Sequence, residues 1–245
     1  MPEAETNQLA GVVVVSFGIS IGIGIIFPLL PGFGRDLGLS LAAIGVLVSA
    51  FGISRLVIDA AGGWIFRVVS ERGAATTGAA IVAAGSFLTA IAGDFKGLLV
   101  ARILHGIGVA MFVNAGAVYV GREAPYSHRA RALGLHQGAM LLGTTLGPVI
   151  GGVLASIGGI RLPFVVAGLI GVVAVPWSLR HFPARVGGDR RHNAPQGKVD
   201  PALRWSLVVA FTSYLVVWGT RSSVRFTLVP LYVEESLGQR SCGHR

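Results

Sequence analysis

Residues 134–152 read GLHQGAMLLGTTLGPVIGG, and the small residues in this stretch predict the kind of helix it forms. At about 100° per residue, three glycines fall on one face, Gly143, Gly147 and Gly151. Three others fall on roughly the opposite face, Gly134, Gly138 and Gly152. In water each interior glycine costs roughly 1 kcal/mol relative to alanine, and an interior proline costs about 3 kcal/mol. In a bilayer no water competes for the backbone, and small residues let neighbouring helices approach closely. The stretch therefore predicts a tightly packed membrane helix, bent at Pro148 because proline cannot donate to the Thr144 carbonyl.

The composition of the whole chain agrees with a membrane protein. Of 245 residues, 53% are hydrophobic and only 13% are charged, and the mean hydropathy is +0.71. Soluble domains carry about 25% charged residues. The net charge of +9 comes from basic residues in short stretches between apolar runs, which favours membrane topology over nucleic-acid binding. The single cysteine, Cys242, excludes an internal disulfide and a cysteine-based metal cluster.

Seven apolar runs predict seven membrane helices. The first, residues 8–30, carries no charge and spans about 34 Å, enough for a hydrocarbon core of about 30 Å. Pro28 and Pro31 are expected to end it. The others are expected at residues 41–58, 74–92, 98–120, 130–156 and 162–179, and from residue 205 to 220 or beyond. Residues 180–204 are polar, rich in glycine and proline, and basic, which predicts a flexible cytoplasmic linker.

The basic residues in the connections predict the orientation of the chain. Eleven Lys or Arg residues lie in the 2–3, 4–5 and 6–7 connections, against three in the 1–2, 3–4 and 5–6 connections. Because connections rich in Lys and Arg stay in the cytoplasm, the amino terminus and the 180–204 linker are expected inside and the carboxyl terminus outside.

Arg102 lies early in the fourth apolar run, in LLVARILHGIGVA (residues 98–110). A charge within a membrane span costs a few kcal/mol and normally faces the bundle or a water-filled path. Two interpretations stay open: an arginine that extends to the outer interface, or a functional charge beside a close-packing seam. Asn114 is the best-placed polar residue of this helix for substrate contact, and Tyr214 is a weaker candidate in the seventh. His136 and Gln137 are expected to hydrogen-bond within the bundle.

Arg55 and Asp59 are four residues apart at the predicted end of the second helix, where they can pair on one face. A structural pair at the membrane surface and a latch of a cytoplasmic gate are both compatible with this spacing. Arg67, in the connection that follows, is a further gate candidate.

The spacing of Gly134, Gly143, Gly147-Pro148 and Gly151-Gly152 matches every fixed position of the fifth-helix antiporter motif of the major facilitator superfamily. The chain resembles that family over about residues 8–237. Four residues also match the family's fourth-helix motif, whose arginine is linked to proton coupling: Leu98, Arg102, Gly106 and Gly108. His105 stands where the family usually has glutamine, and either titrates near neutral pH or is a neutral hydrogen-bonding substitute. The 2–3 connection, GGWIFRVVSERG, departs from the family, because Phe66 or Arg67 occupies the place of the loop aspartate.

The resemblance implies an all-α integral membrane fold with three parts. These are a six-helix amino-terminal half-domain (residues 1–179), a cytoplasmic linker (180–204), and a seventh transmembrane helix with a carboxyl end that departs from the family (205–245). It implies secondary active transport in the plasma membrane, namely proton-coupled efflux of a small molecule by a multidrug-type antiporter. Arg102 and His105 are the residues it connects with proton coupling. The implied partners are the lipid bilayer, a small-molecule substrate and protons, with no cofactor, no metal and no nucleic acid.

Because the family has two halves, the chain is expected to be an incomplete product. By itself it is not expected to transport, unless a second chain or a self-dimer supplies the missing half. The alternatives are a non-transporting membrane remnant or a half-transporter that needs a partner chain. An integral membrane enzyme is disfavoured, because the sequence has no Walker loop, HExxH, CxxC or nucleophile elbow.

Overall fold

A computed structural model of the protein describes residues 3–184 and, beyond them, Trp205, Val209, Thr212 and Ser213. The chain divides into two compact units, residues 1–188 and 189–245. Several predicted features lie outside the described residues: most of the predicted seventh helix, including Tyr214, most of the 180–204 linker, and Cys242.

The described part of the first unit forms six α-helices and no strand. They are α1 (Glu3–Asp36), α2 (Leu41–Val68), α3 (Glu71–Ile91), α4 (Phe95–Glu123), α5 (Arg129–Gly158) and α6 (Leu162–His181), with a short 3-10 helix at Tyr126–His128 before α5. All six are long and apolar enough to cross a membrane. The all-α membrane fold predicted from the sequence is confirmed.

Side-chain caps begin three of the helices, α2, α3 and α4. The hydroxyl of Ser40 accepts a hydrogen bond from the backbone of Ala43 at the start of α2, and that of Ser70 caps α3 in the same way. The carboxylate of Asp94 accepts from the backbone nitrogen of Gly97 at 2.8 Å at the start of α4. Each cap satisfies one of the backbone donors that a helix start leaves unpaired.

Two helix ends predicted from the sequence are wrong, and both predictions make the helix too short. Pro28 and Pro31 lie inside α1, which continues to Asp36. α2 continues through Gly62 to Val68 instead of ending at residue 58. Proline removes one donor and glycine weakens a helix in water, but in an apolar environment an early end would leave more backbone groups unsatisfied.

Close backbone contacts at glycine hold α1 against α5. A Cβ atom built on Gly147 would lie 2.5 Å from the Cα of Gly24, and one built on Gly143 would lie 2.6 Å from the carbonyl oxygen of Phe17. Gly151 is buried on the same face. The other glycine face of α5 is open among the described residues: apart from the backbone of α5 itself, none of their atoms lies within 4 Å of a Cβ built at Gly134, Gly138 or Gly152. The two faces of α5 are therefore those that the spacing predicts.

The remaining contacts arrange the helices around α4 and α1. α4 packs along α2 and α3, α3 packs along α6, and α6 returns to α1. Two apolar helix faces are exposed within the described residues. The face on α2 carries Val46, Ile53 and Val57, and the face on α5 carries Leu142, Val149 and Val153. α2 and α5 are thus the helices with the largest apolar surface available to lipid or to another protein surface.

Candidate functional site

Arg102 of α4 is inside the bundle, with 1% of its surface exposed. Its Nη2 atom lies 2.9 Å from Nδ1 of His105, one turn later on the same helix. Its guanidinium carbon lies 6.0 Å from the ring centroid of Phe51 of α2. Its Nε atom has no hydrogen-bond partner among the described residues. Extension of Arg102 to the membrane interface, one of the two interpretations of the sequence, is therefore excluded.

The contact with Arg102 determines the hydrogen-bonding state of His105. An arginine side chain only donates hydrogen bonds, so Nδ1 of His105 accepts and cannot carry a proton. The imidazole is therefore neutral in this arrangement, with its proton on Nε2. The ring also packs edge-on against Phe51, at 6.2 Å between centroids. Of the two interpretations of His105, the geometry favours the neutral hydrogen-bonding one.

The other residues of the fourth-helix motif bring neighbouring helices into contact with α4. A Cβ built on Gly106 would overlap the Ser54 hydroxyl and lie 2.5 Å from the carbonyl oxygen of Phe51. A Cβ built on Gly108 would lie 2.7 Å from the carbonyl oxygen of Gly78 on α3. Glycine is thus required at both positions for α2 and α3 to pack this closely, and the Gly106 contact places Phe51 beside Arg102. Leu98 is fully buried at the start of the same helix.

Arg55, Asp59 and Asn114 form one hydrogen-bonded group between α2 and α4. Asn114 Nδ2 donates to Asp59 Oδ1 at 2.9 Å, and Arg55 Nε donates to Asp59 Oδ2 at 3.4 Å. The side chains of Arg55 and Asp59 remain 28% and 37% exposed. At 1.5 Å per residue, Arg55 lies at about the midpoint of α2 and Asp59 lies about 7 Å from that midpoint.

This position corrects the prediction that Arg55 and Asp59 end the second helix at the membrane surface. α2 continues to Val68, so both charges lie within the span. Arg67 is exposed in the last turn of α2 and is eight residues beyond Asp59, so the structure does not bring the three gate candidates together. It brings Asp59 instead to Asn114, which the sequence assigns to the substrate path.

His136 of α5 differs from its predicted role. The side chain is fully buried, and neither ring nitrogen has a hydrogen-bond partner among the described residues. The ring lies against Gly116 of α4, where a Cβ would come within 2.9 Å of it. The predicted hydrogen bond of His136 within the bundle is therefore wrong for the described residues, since the ring packs against Gly116, which has no side chain that could donate or accept.

An ion pair between α3 and α4 was not indicated by the sequence pattern. Glu71 begins α3, is 3% exposed, and pairs through Oε1 with Nη1 of Arg122 in the last turn of α4. Arg72 donates from Nε to the carbonyl oxygen of Phe182 at 2.7 Å, just after α6. These contacts join three helix ends at the end of the bundle where α1 begins. Arg122 belongs to the basic connections from which the sequence predicts the orientation, and the only signal for the pair was an acidic residue next to a predicted helix start.

The six-helix bundle and its intramembrane charged groups define a multi-pass membrane protein with polar groups inside the span, the class to which membrane transporters belong. The chain belongs to the Major Facilitator Superfamily, whose family model matches residues 12–241.

Two curated relatives illustrate the similarity. The chain is 29% identical over 227 residues to the quinolone resistance protein NorA of Staphylococcus aureus (strain MSSA476), covering 90% of this chain and 57% of that protein. It is 26% identical over 161 residues to an uncharacterized MFS-type transporter of Methanocaldococcus jannaschii, covering 66% of this chain and 42% of that protein. The chain thus spans about half the length of these relatives.

Solved structures share the fold. The peptide transporter POT in complex with sulfate superimposes with a TM-score of 0.66 at 18% sequence identity, over 91% of this chain and 46% of that chain. A POT family transporter in complex with 5-aminolevulinic acid gives the same TM-score at 17% identity, over 89% of this chain and 46% of the other.

Proposed function

We propose that the protein takes part in proton-coupled efflux of a small molecule across the plasma membrane. The observation that carries this proposal is the buried Arg102, held by a neutral His105 inside a membrane helix. Charged groups within a span are costly and mark ion or substrate paths. Membership of the family and the similarity to a protein named for quinolone resistance support a drug-like cargo.

Arg102 and His105 are proposed as the proton-coupling residues. Burying the Arg102 guanidinium without a carboxylate partner among the described residues leaves a positive charge whose energy depends on the charge and hydration around it. A proton or a substrate charge that arrives nearby changes that energy, which is what coupling requires. We propose that three residues of α5 keep this helix packed on α1 while the transport path opens and closes: Gly143, Gly147 and Pro148.

The second proposal concerns a partner that packs against the exposed faces of the six-helix bundle. α2 and α5 expose apolar faces, and α5 also carries two glycines, Gly134 and Gly138, at which an added Cβ would meet no atom of the described residues within 4 Å apart from the backbone of α5 itself. Such faces suit close packing against other membrane helices. We propose that a second copy of this chain or another polypeptide packs there and forms the other wall of the path.

The orientation and domain organisation belong to the same proposal. Helices α1 to α6 alternate in direction, so Arg72, Arg122 and Arg129 lie at the end of the bundle where α1 begins. The excess of basic residues supports a cytoplasmic amino terminus. The proposed organisation keeps three parts: the half-domain (residues 1–179), the linker (180–204), which is polar and basic, and the carboxyl part (205–245). In a Cys242→Ser background, a reagent that cannot cross the membrane should reach a cysteine at Gly93 and not one at Gly188, and the reverse pattern inverts the topology.

The transport proposal is tested with the 245-residue protein in lipid vesicles. A pH gradient is imposed and the movement of cationic dyes is measured at increasing ratios of protein to lipid. We expect saturable, gradient-dependent dye movement only when a partner is present. Without an added polypeptide, it should appear only at those protein-to-lipid ratios at which a cysteine placed at Gly138 forms cross-links between copies. At lower ratios it should appear only after a partner polypeptide is added. Dye movement by dispersed single chains would contradict the proposal that a partner forms the other wall of the path. An inserted, self-associated protein that moves no dye under any condition favours the alternative of a non-transporting membrane protein.

A further inference from the structure

The Arg55–Asp59–Asn114 group presents two opposite charges side by side within the membrane span. Arg55 Nε and Asp59 Oδ2 are 3.4 Å apart, and both side chains are partly exposed. Neither charge extends to an interface, because the group lies near the middle of α2. An ion of one sign is attracted by one member of such a pair and repelled by the other, whereas a molecule that carries both charges can be attracted by both.

Both members of the pair keep unused hydrogen-bonding capacity. Arg55 uses Nε, and its two terminal nitrogens have no hydrogen-bond partner among the described residues. A planar guanidinium with two open N–H groups fits a carboxylate. Asp59 accepts one hydrogen bond on each oxygen within the described residues, whereas a carboxylate has about four acceptor positions. An ammonium group can therefore bind Asp59 without breaking its bond to Asn114.

Among the described residues, the surface around the pair has room for a ligand. Gly52 and Gly63 lie on the same face of α2 as Asp59, one on either side along the helix. Apart from the neighbouring backbone of α2 itself, no atom of the described residues lies within 4 Å of a Cβ built on either of them. Leu56, on the same face, is 52% exposed and offers an apolar contact.

We propose that Arg55 and Asp59 form a binding site for a compact zwitterion, with the ligand carboxylate on Arg55 and its ammonium on Asp59. Asn114 positions the Asp59 carboxylate, since it is the side chain from a second helix that holds Oδ1. The close spacing of the pair requires a ligand whose two charges are separated by only a few bonds, such as an amino-acid head group. This inference deepens the proposed transport function by naming a substrate class, but its test measures binding alone.

The test compares three fluorescent probes that differ only in charge. They are lysine with a dansyl group on its side chain, which is a zwitterion, its methyl ester, which is a cation, and its α-N-acetyl derivative, which is an anion. Binding to the 245-residue protein in lipid nanodiscs is followed by dansyl fluorescence. We expect the zwitterion to bind at least about tenfold more tightly than either derivative, as expected when one charge-assisted hydrogen bond is lost.

Single variants assign each charge to its residue. In Arg55→Gln the zwitterion should bind no better than the ester, and in Asp59→Asn no better than the acetyl derivative. Asp36→Asn and Arg131→Gln, which remove exposed charges elsewhere, should keep the preference. Three results would each overturn the proposal and leave a structural ion pair. The unaltered protein could bind all three probes equally, or correctly folded helical protein could bind none of them. Arg55→Gln could also weaken the binding of all three probes equally. A preference for the zwitterion in a protein that fails the vesicle assay supports the site and contradicts transport.

Discussion

Gly147 of α5 and Gly24 of α1 meet backbone to backbone, so that a Cβ on Gly147 would lie 2.5 Å from the Cα of Gly24. Gly147→Ala should lower the midpoint of thermal unfolding in detergent by several degrees, because the added methyl group must separate α1 from α5. Gly152→Ala is the matched control on the same helix, since no atom of the described residues lies within 4 Å of its Cβ. Equal midpoints for the two variants would show that this contact does not stabilise the bundle.

His105 is expected to tolerate glutamine and not leucine. A glutamine amide oxygen can accept from Arg102 as Nδ1 of His105 does, whereas leucine leaves the buried guanidinium with one partner fewer. His105→Leu should therefore cost about 1–3 kcal/mol of stability and reduce coupled transport, and His105→Gln should preserve both. Thermal unfolding and vesicle transport measure the two effects. Loss of transport in His105→Gln with normal stability would instead indicate that the imidazole titrates.

The pair of Glu71 and Arg122 is expected to hold the ends of α3 and α4 together. Glu71→Gln and Arg122→Gln should each destabilise the protein by about 1–3 kcal/mol, with a coupling energy of about 1 kcal/mol in the double-mutant cycle. Chemical unfolding of the three variants and the unaltered protein gives these values. Additive effects, with no coupling, would mean that the two side chains stabilise the helices independently.

His136 is expected to be replaceable by an apolar residue. Both ring nitrogens are buried without partners in the described part of the chain, so His136→Leu removes an unsatisfied polar group and should leave stability unchanged or raise it by about 1 kcal/mol. His136→Lys should strongly destabilise the protein, since it buries a charge between α4 and α5. A clear loss of stability in His136→Leu contradicts this account of the buried ring.

The sequence predicts the helices better than it predicts their ends. Hydropathy locates all six described helices, because a bilayer demands about 20 apolar residues per span. Rules learned from soluble helices then fail at Pro28 and after Ile58, where proline, glycine and charge normally end a helix. The error at α2 misplaced Arg55 and Asp59, since their depth depends on where that helix ends.

The site is only partly predictable for a related reason. Spacing within one helix shows that Gly147 shares a face with Gly143, and that Arg102 and His105 are one turn apart. It does not show which residue of another helix comes opposite. The bond of Asp59 to Asn114 joins residues 55 positions apart, and the pair of Glu71 and Arg122 joins residues 51 positions apart. Such contacts depend on how glycine contacts align the helices.

The most direct test of the central claim measures coupled transport in vesicles that contain the unaltered protein or Arg102→Ala. Both are reconstituted at the protein density at which the unaltered protein moves a dye, and equal helix content and insertion are verified first. The account predicts saturable, pH-gradient-driven movement by the unaltered protein, its loss in Arg102→Ala, and partial recovery in Arg102→Lys, which keeps the charge without the planar fork. Undiminished gradient-driven movement by Arg102→Ala would contradict it, and so would the absence of movement by the unaltered protein at every density and also with a partner polypeptide present.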